Sequence, residues 1–445
     1  MSRRRPGPYP GHVTTSDIWP APRSSGPLDA TADVPGSKSQ TNRALLLAAI
    51  ADGPTLLRRP LRSRDTLLMA EALRALGASV EDVGTDWRVT PGPVVGGTSI
   101  DCGLAGTVMR FVPPLAALAP GDTRLDGDPH ARVRPMAPLV AALRGLGIEV
   151  DAAGGPGSEV LPLTVHGRGR VEGGVVDVDA SSSSQFVSAL LLVAPAFARG
   201  IDLRHVGAPM PSLPHVAMTV ATLRERGVEV EVHEEDGVPV RWVVSPGPVR
   251  GGEVAIEPDL SNAGPFLAAA AVTGGTVRVP GWPTSTTQAG DAMPGLLAMM
   301  GAEVDWPAED VLSVTGPDAG DLRGIEVDLH DVGELTPTIA AVAALATTPT
   351  HLHGIAHLRG HETDRLAAIV TELRRLGGAA HETEDGIVVE PAFLHGATVE
   401  TYGDHRMATF AAILGLRVDG VGIRDVGTTA KTIPDFVPRW NALLG

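Results

Sequence analysis

Apolar and polar positions follow one script that returns along the whole chain. A leucine, a glycine four residues later and usually a valine three residues after that recur as Leu73/Gly77/Val80, Leu143/Gly147/Val150, Leu223/Gly227/Val230 and Leu297/Gly301/Val304. The fifth copy is Leu373/Gly377, with Ala380 in the valine place. The period is about 75 residues, longer than common solenoid repeats, so six units are expected, each large enough for two helices on a sheet. In each unit a polar turn opens an apolar helix rich in small residues, and a short β-rich strand follows. A second helix then closes on the tagged glycine, a natural helix C-cap, before the next strand begins. The strands read TLLRR, TRLDG, IDLRHV, TVRVPG, THLHG and VGIRDV. The second helices show spacing such as Met69, Leu73, Leu76 and Leu139, Leu143, Leu146. Six units could stack openly or close into two groups of three; Pro246-Gly247-Pro248 at the midpoint favours two groups.

The openings of the units carry the candidate chemistry. They are Ser37-Lys38-Ser39, Ala105-Gly106-Thr107 with Arg110, Ser181 to Ser184 with Gln185, Ser261-Asn262, Glu334, and Asp404-His405-Arg406. The first lies in PGSKSQTNR, where Pro35-Gly36 turns the chain and Ser37 is placed to cap a helix bearing Lys38, Ser39 and Arg43 near its start. Unpaired N–H groups and about half a positive charge of helix dipole gather at such a start, and cations beside it make an anion site. If symmetry brings the starts to one side of each domain, two rings of helix N-termini face a shared cleft suited to a substrate with several anionic groups.

Composition narrows the alternatives. With 445 residues and 43% hydrophobic content, the chain can build ample core and is expected to form two domains. Its net charge of −16 and 3% aromatic content argue against a nucleic-acid surface. The apolar run Val187 to Ala198 contains Pro195 and is too short to cross a bilayer, so no membrane association is expected. One cysteine, Cys102, precludes an internal disulfide and suits a reducing cytoplasm. Residues 1–25, which hold Arg3, Arg4, Arg5 and several prolines, are expected to form a disordered tail.

PGSKSQTNR, AGTVMR, SSSSQF, HETDRL, GDHRMA and TAKTIPD, in that order, resemble the 5-enolpyruvylshikimate-3-phosphate synthase family from about Leu28 onward. The resemblance implies an α/β fold, a two-domain inside-out α/β barrel of six repeated units, three per domain, joined by two crossings. The expected division is 36–250 for the first domain and 26–35 plus 251–445 for the second. The implied reaction moves the enolpyruvyl group of phosphoenolpyruvate to the 5-hydroxyl of shikimate 3-phosphate and releases phosphate through a tetrahedral intermediate, with neither metal nor organic cofactor. By the same resemblance, the shikimate 3-phosphate site comprises Lys38, Ser39, Arg43, Ser183, Ser184, Ser212, Glu334 and His361. The phosphoenolpyruvate site comprises Lys38, Gly106, Arg134, Gln185, Arg365, Arg406 and Lys431. Glu334 takes the place of the base, Glu362 that of the donor to the methylene carbon, and Lys38 lies between the two substrates. A cytoplasmic monomer sensitive to the herbicide glyphosate, a competitor of phosphoenolpyruvate, is the matching expectation.

These residue types suit that chemistry. Phosphoenolpyruvate brings a carboxylate and a phosphate beside a second phosphate, so several guanidinium forks are needed to offset repulsion. Glycine at 106 lets backbone N–H groups approach a phosphate. Two carboxylates in different surroundings can divide proton delivery from proton removal.

The chain departs from the commonest family pattern at Leu104 for asparagine, Glu334 for aspartate, His357 for asparagine and His361 for lysine. His361 would carry positive charge only if a phosphate or Glu362 raised its pKa, which implies a steeper pH dependence below neutrality. Competing readings are a UDP-N-acetylglucosamine enolpyruvyl transferase, whose family uses a loop cysteine as acid, and a non-catalytic anion-binding protein. Cys102 has no such motif context and reads as a buried small residue. Arg132 reads as a solvated residue, and Glu372 and Asp404 as cap or ion-pair partners. The histidines 351, 353, 357 and 361 are a weak candidate for a metal cluster.

Overall fold

The apolar helices that follow the polar openings are apolar on every side, and a helix of that kind must be enclosed. The computed structural model, which describes residues 18–318 and 321–445, encloses them. Lys38–Ala49, Gly106–Ala116 and Gln185–Val193 pack against one another in a first lobe, and Leu260–Thr273, Thr336–Ala343 and His405–Gly415 do so in a second. Alanine-rich faces such as Ala268–Ala271 let these backbones approach closely, and every residue of the Leu260–Thr273 helix is buried. Sheets and second helices surround each helical centre, so the barrel is inside out.

Each unit repeats one connection. In the second, strand Thr98–Asp101 leads through the Gly106–Ala116 helix to a parallel strand, Pro120–Asp126. The Ala137–Gly145 helix then precedes the hairpin Glu149–Ala153 and Val160–Arg168, which pairs antiparallel to Pro120–Asp126. Five sheets of four strands and one of three result among the described residues. All six strands expected from the script are present. The tagged glycines 77, 147, 227, 301 and 377 all have positive φ, between 80° and 107°, immediately after their helices. That conformation is open to glycine and strained for side-chain-bearing residues, which explains the recurrence.

Two units exchange their leading strands. Asp29–Thr31 precedes the Lys38–Ala49 helix in the chain but pairs with Thr276–Pro280 in the second lobe. Gly252–Ala255 precedes the Leu260–Thr273 helix but pairs with Thr55–Arg58 in the first. The core follows the same division: Leu28, Ala32 and Val34 lie in the second cluster, and Val249 and Ile256 in the first. The expected start of the second domain at 251 is therefore too early, because strand pairing and core packing keep the chain in the first lobe to Ile256. The expected tail also needs correction. Residues 1–17 lie outside the described residues, but Ile18–Pro20 form an edge strand antiparallel to Gly422–Arg424.

The exchange can be tested where it is tightest. A Cβ at Gly275 would stand 2.0 Å from the Leu28 nitrogen and 2.3 Å from its carbonyl oxygen. Gly275→Ala is expected to displace the Asp29–Thr31 strand and cost about 2–3 kcal/mol, read as a lower urea midpoint; an unchanged midpoint would contradict this packing.

Candidate active site

The six central helices all begin at one cavity of about 560 Å³ between the lobes. Ser37, Asp259 and Asp404 cap three of them, accepting from the N–H groups of Gln40, Asn262 and Arg406. The helices that start at Gly106, Gln185 and Thr336 carry no side-chain cap hydrogen bond from the residue before them. Their first N–H groups, which no helical turn can satisfy, add positive potential at the cavity.

Every residue expected at the site lines this cavity: Lys38, Ser39, Arg43, Gly106, Arg134, Ser183, Ser184, Gln185, Ser212, Glu334, His361, Glu362, Arg365, Arg406 and Lys431. Arg110 also lines it, though the sequence placed it only at an opening. Its Nη1 donates to Gln185 Oε1 at 2.7 Å, and its guanidinium lies 5.1 Å from the Phe186 ring centre. Burial first, and then the Arg134 charge, hold its pKa well below the guanidinium range. Asp65 and His215 are further lining residues that no motif singled out, and His405 joins them from the Asp404-His405-Arg406 opening.

The cations differ in how they are held. Arg43 is 1% exposed and has no carboxylate partner among the described residues; it donates to Thr219 Oγ1 and the His215 carbonyl at 2.8 Å and to the Ser39 carbonyl at 3.1 Å. Burial lowers its pKa to about 9. Lys38 Nζ stands 3.7 Å from Asp65. Burial pushes its pKa down, and Lys431 and Arg406 add to that while Asp65 and Glu362 oppose it. Arg365 is clamped, with Asp404 at 2.7 Å on one side and Glu362 at 2.7 Å on the other.

The two carboxylates expected to do the chemistry sit differently. Glu362 places one oxygen 2.5 Å from Lys431 Nζ and the other 2.7 Å from Arg365 Nη2. Burial favours its protonated form, but Lys431, Arg365 and Arg134 outweigh it and hold the pKa well below the carboxylate range. Glu334 accepts from Ser261 Oγ at 3.3 Å and faces His215 Nε2 at 3.4 Å. Burial again pushes upward, and His215 and Arg406 reverse it, bringing the pKa to about 2.

His361 is held neutral, because burial, followed by the charge of Arg365, places its pKa well below the usual imidazole value. Its Nδ1 lies 3.2 Å from Arg365 Nη1, which can only donate, so the proton of the neutral ring sits on Nε2. Leu104 is 8% exposed within the core, and its carbonyl accepts from Arg134 Nη1 at 3.4 Å.

The sequence model described as EPSP synthase (3-phosphoshikimate 1-carboxyvinyltransferase) matches residues 22–440. A 3-phosphoshikimate 1-carboxyvinyltransferase of Kocuria rhizophila is 55% identical over 442 residues, covering 96% of this chain and 97% of that one. The chain belongs to the EPSP synthase family. An EPSP synthase structure from Acinetobacter baumannii superposes with a TM-score of 0.77 at 25% identity, covering 95% of this chain and 97% of its own. The enolpyruvyl transferase NikO from Streptomyces tendae shares the fold, with a TM-score of 0.73 at 19% identity over 95% of this chain and 96% of its own.

Within this EPSP synthase fold the remaining residues fall into place. Cys102 is fully buried, and burial, with Asp101 and Asp126 nearby, raises its thiol to about 12. Arg132 pairs with Asp126 on the surface. Glu372 is buried beneath Tyr402 and Arg375. Among the described residues no group of three or more His, Cys, Asp or Glu is placed to hold a metal ion. No helix there is long and apolar enough to cross a membrane.

Asp404 anchors the cationic side of the cavity. It is fully buried, caps the His405–Gly415 helix and pairs with Arg365. Asp404→Ala is expected to cost roughly 3–5 kcal/mol by leaving the buried guanidinium half-paired, measured by urea unfolding; a loss no larger than that of a surface ion pair would contradict the clamp.

Proposed function

We propose that the chain transfers the enolpyruvyl group of phosphoenolpyruvate to the 5-hydroxyl of shikimate 3-phosphate and releases phosphate, as a cytoplasmic monomer needing no cofactor. Family membership supports the reaction. The observation that carries the residue roles is the gathering of every family-matched side chain in one cavity lined by Lys38, Arg43, Arg110, Arg134, Arg365, Arg406 and Lys431. An acidic protein thus concentrates cations where two highly anionic substrates must meet.

Lys38, Ser39, Arg43, Ser183, Ser184, Ser212 and His361 are assigned to shikimate 3-phosphate, and Lys38, Gly106, Arg134, Gln185, Arg365, Arg406 and Lys431 to phosphoenolpyruvate. Glu334, ionised throughout the neutral range, takes the 5-hydroxyl proton as that oxygen attacks C2 of phosphoenolpyruvate. Glu362 delivers a proton to the methylene carbon, completing the addition. The tetrahedral adduct then returns a methyl proton to Glu362 and loses phosphate, which carries off the proton held by Glu334, and the double bond is restored.

Glu362 cannot donate while both its oxygens face cations. The phosphate and carboxylate of bound phosphoenolpyruvate compete for Lys431 and Arg365, which raises the proton affinity of Glu362. The acid is therefore armed by the substrate it protonates.

Phosphate release by metal-chelated protein is expected with phosphoenolpyruvate plus shikimate 3-phosphate and absent with UDP-N-acetylglucosamine as acceptor; the reverse pattern would overturn the assignment. Glu334→Ala is expected to lower turnover ~10²-fold or more while calorimetry shows shikimate 3-phosphate still bound; unchanged turnover would remove Glu334 as base. At Gly106, a Cβ would lie 3.0 Å from Arg134 Nη1 and 3.3 Å from Gln185 Oε1. Gly106→Ala is expected to raise the KM for phosphoenolpyruvate ~10-fold and to weaken competitive inhibition by glyphosate further; inhibition of the parent protein that does not compete with phosphoenolpyruvate would refute the shared site.

A further inference from the structure

The start of the Leu213–Glu225 helix belongs to the first lobe and the His330–Leu335 turn to the second, yet they touch twice at the cleft. The Ser212 N–H donates to the His330 carbonyl at 3.3 Å, and His215 Nε2 reaches Glu334 Oε1 at 3.4 Å. The first-lobe side of this contact is firmly built. The His215 carbonyl accepts from Arg43 Nη2 at 2.8 Å, Thr219 Oγ1 at 3.0 Å and Ser188 Oγ at 3.4 Å. Ser212 holds the helix entry in a left-handed conformation, with φ 59° and ψ 44°. The second-lobe side is less regular, because the turn bearing Glu334 is kinked at Val332.

Glu334 therefore has two named polar partners of different origin. Ser261, on the Leu260–Thr273 helix, belongs to its own lobe and stays whatever the lobes do. His215 comes from the other lobe, and any separation of the lobes removes it. We propose that His215 is a positioning residue for Glu334, so that bringing the lobes together is what orients the base and keeps it free of a proton. This rests on the assignment of Glu334 as the base. Either form of the imidazole can serve, since the neutral tautomer protonated on Nε2 donates to a carboxylate as the charged ring does.

The surroundings leave His215 a distinct part. Arg43 stands behind it, bound to its carbonyl. His330, Asp331 and His357 flank Glu334 within its own lobe, and Arg406 adds positive charge there. Of the groups that oppose burial at Glu334, His215 acts most strongly, ahead of Arg406. Without it, burial regains weight and the carboxyl binds a proton at higher pH.

The test uses His215→Phe and His215→Gln in the two-substrate phosphate-release assay, from about pH 2 to about pH 8. His215→Phe is expected to lower kcat ~10-fold or more and to move the acid limb of the kcat profile upward by about one pH unit, with the KM for phosphoenolpyruvate within ~2-fold of the parent value. His215→Gln keeps a donor and is expected to recover most of kcat at neutral pH. In a Glu334→Gln background, His215→Phe is expected to change kcat less than ~2-fold, because its effect passes through the carboxylate. An unmoved acid limb, or the same fold-loss in the Glu334→Gln background, would overturn the proposal, and so would a loss confined to the KM for shikimate 3-phosphate. Melting temperatures of the variants separate these outcomes from misfolding, and His215→Gln decides if the phenylalanine variant does not fold. Failure of the parent protein to release phosphate would remove the enzyme assignment itself, a different result from any of these.

Discussion

Gathering positive charge in a buried space is the constraint on which the rest of this structure depends. Guanidinium and ammonium groups repel one another most where water is scarce, and here helix dipoles from six directions add to the repulsion. Asp65, Glu334, Glu362 and Asp404 offset part of it, each against a particular partner. Burial, more than mutual repulsion, lowers the pKa values of Lys38, Arg43 and Arg110. An anionic ligand placed among these groups would offset the charge that the carboxylates leave unpaired.

The inside-out arrangement makes this possible. Had the sheets lain inside and the helices outside, the helix starts would have pointed around the periphery. With small-residue helices bundled at the centre of each lobe, three N-termini emerge side by side, and two lobes facing each other present six. The alanine-rich helices and the polar starts are thus one design feature seen at its two ends.

Much of this was legible in the chain. The leucine-glycine-valine tag marked the helix ends correctly because glycine alone tolerates the backbone that follows them without strain, and periodicity located the strands because each has a buried face. The motif residues converged on one cavity because each sits at the start of a repeated element. What escaped notice was non-local. Nothing in the Asp29–Thr31 segment shows that its partner is Thr276–Pro280, and nothing in Ile18–Pro20 points to Gly422–Arg424. The neutral state of His361 and the reach of His215 to Glu334 were equally hidden, since both depend on burial and on neighbours far off in sequence.

The exchanged strands carry a consequence for how the molecule is made. As the chain leaves the ribosome, the first lobe lacks a sheet strand until Gly252–Ala255 emerges, although its three central helices are already synthesised. The Asp29–Thr31 and Ile18–Pro20 strands wait longer still, for partners beyond residues 276 and 422. Early segments must therefore stay unpaired through most of synthesis, exposing strand edges that invite wrong partners. Neither lobe is a unit that could be cut out and expected to fold by itself. The same lacing that denies the lobes independence ties each to the other through an exchanged strand.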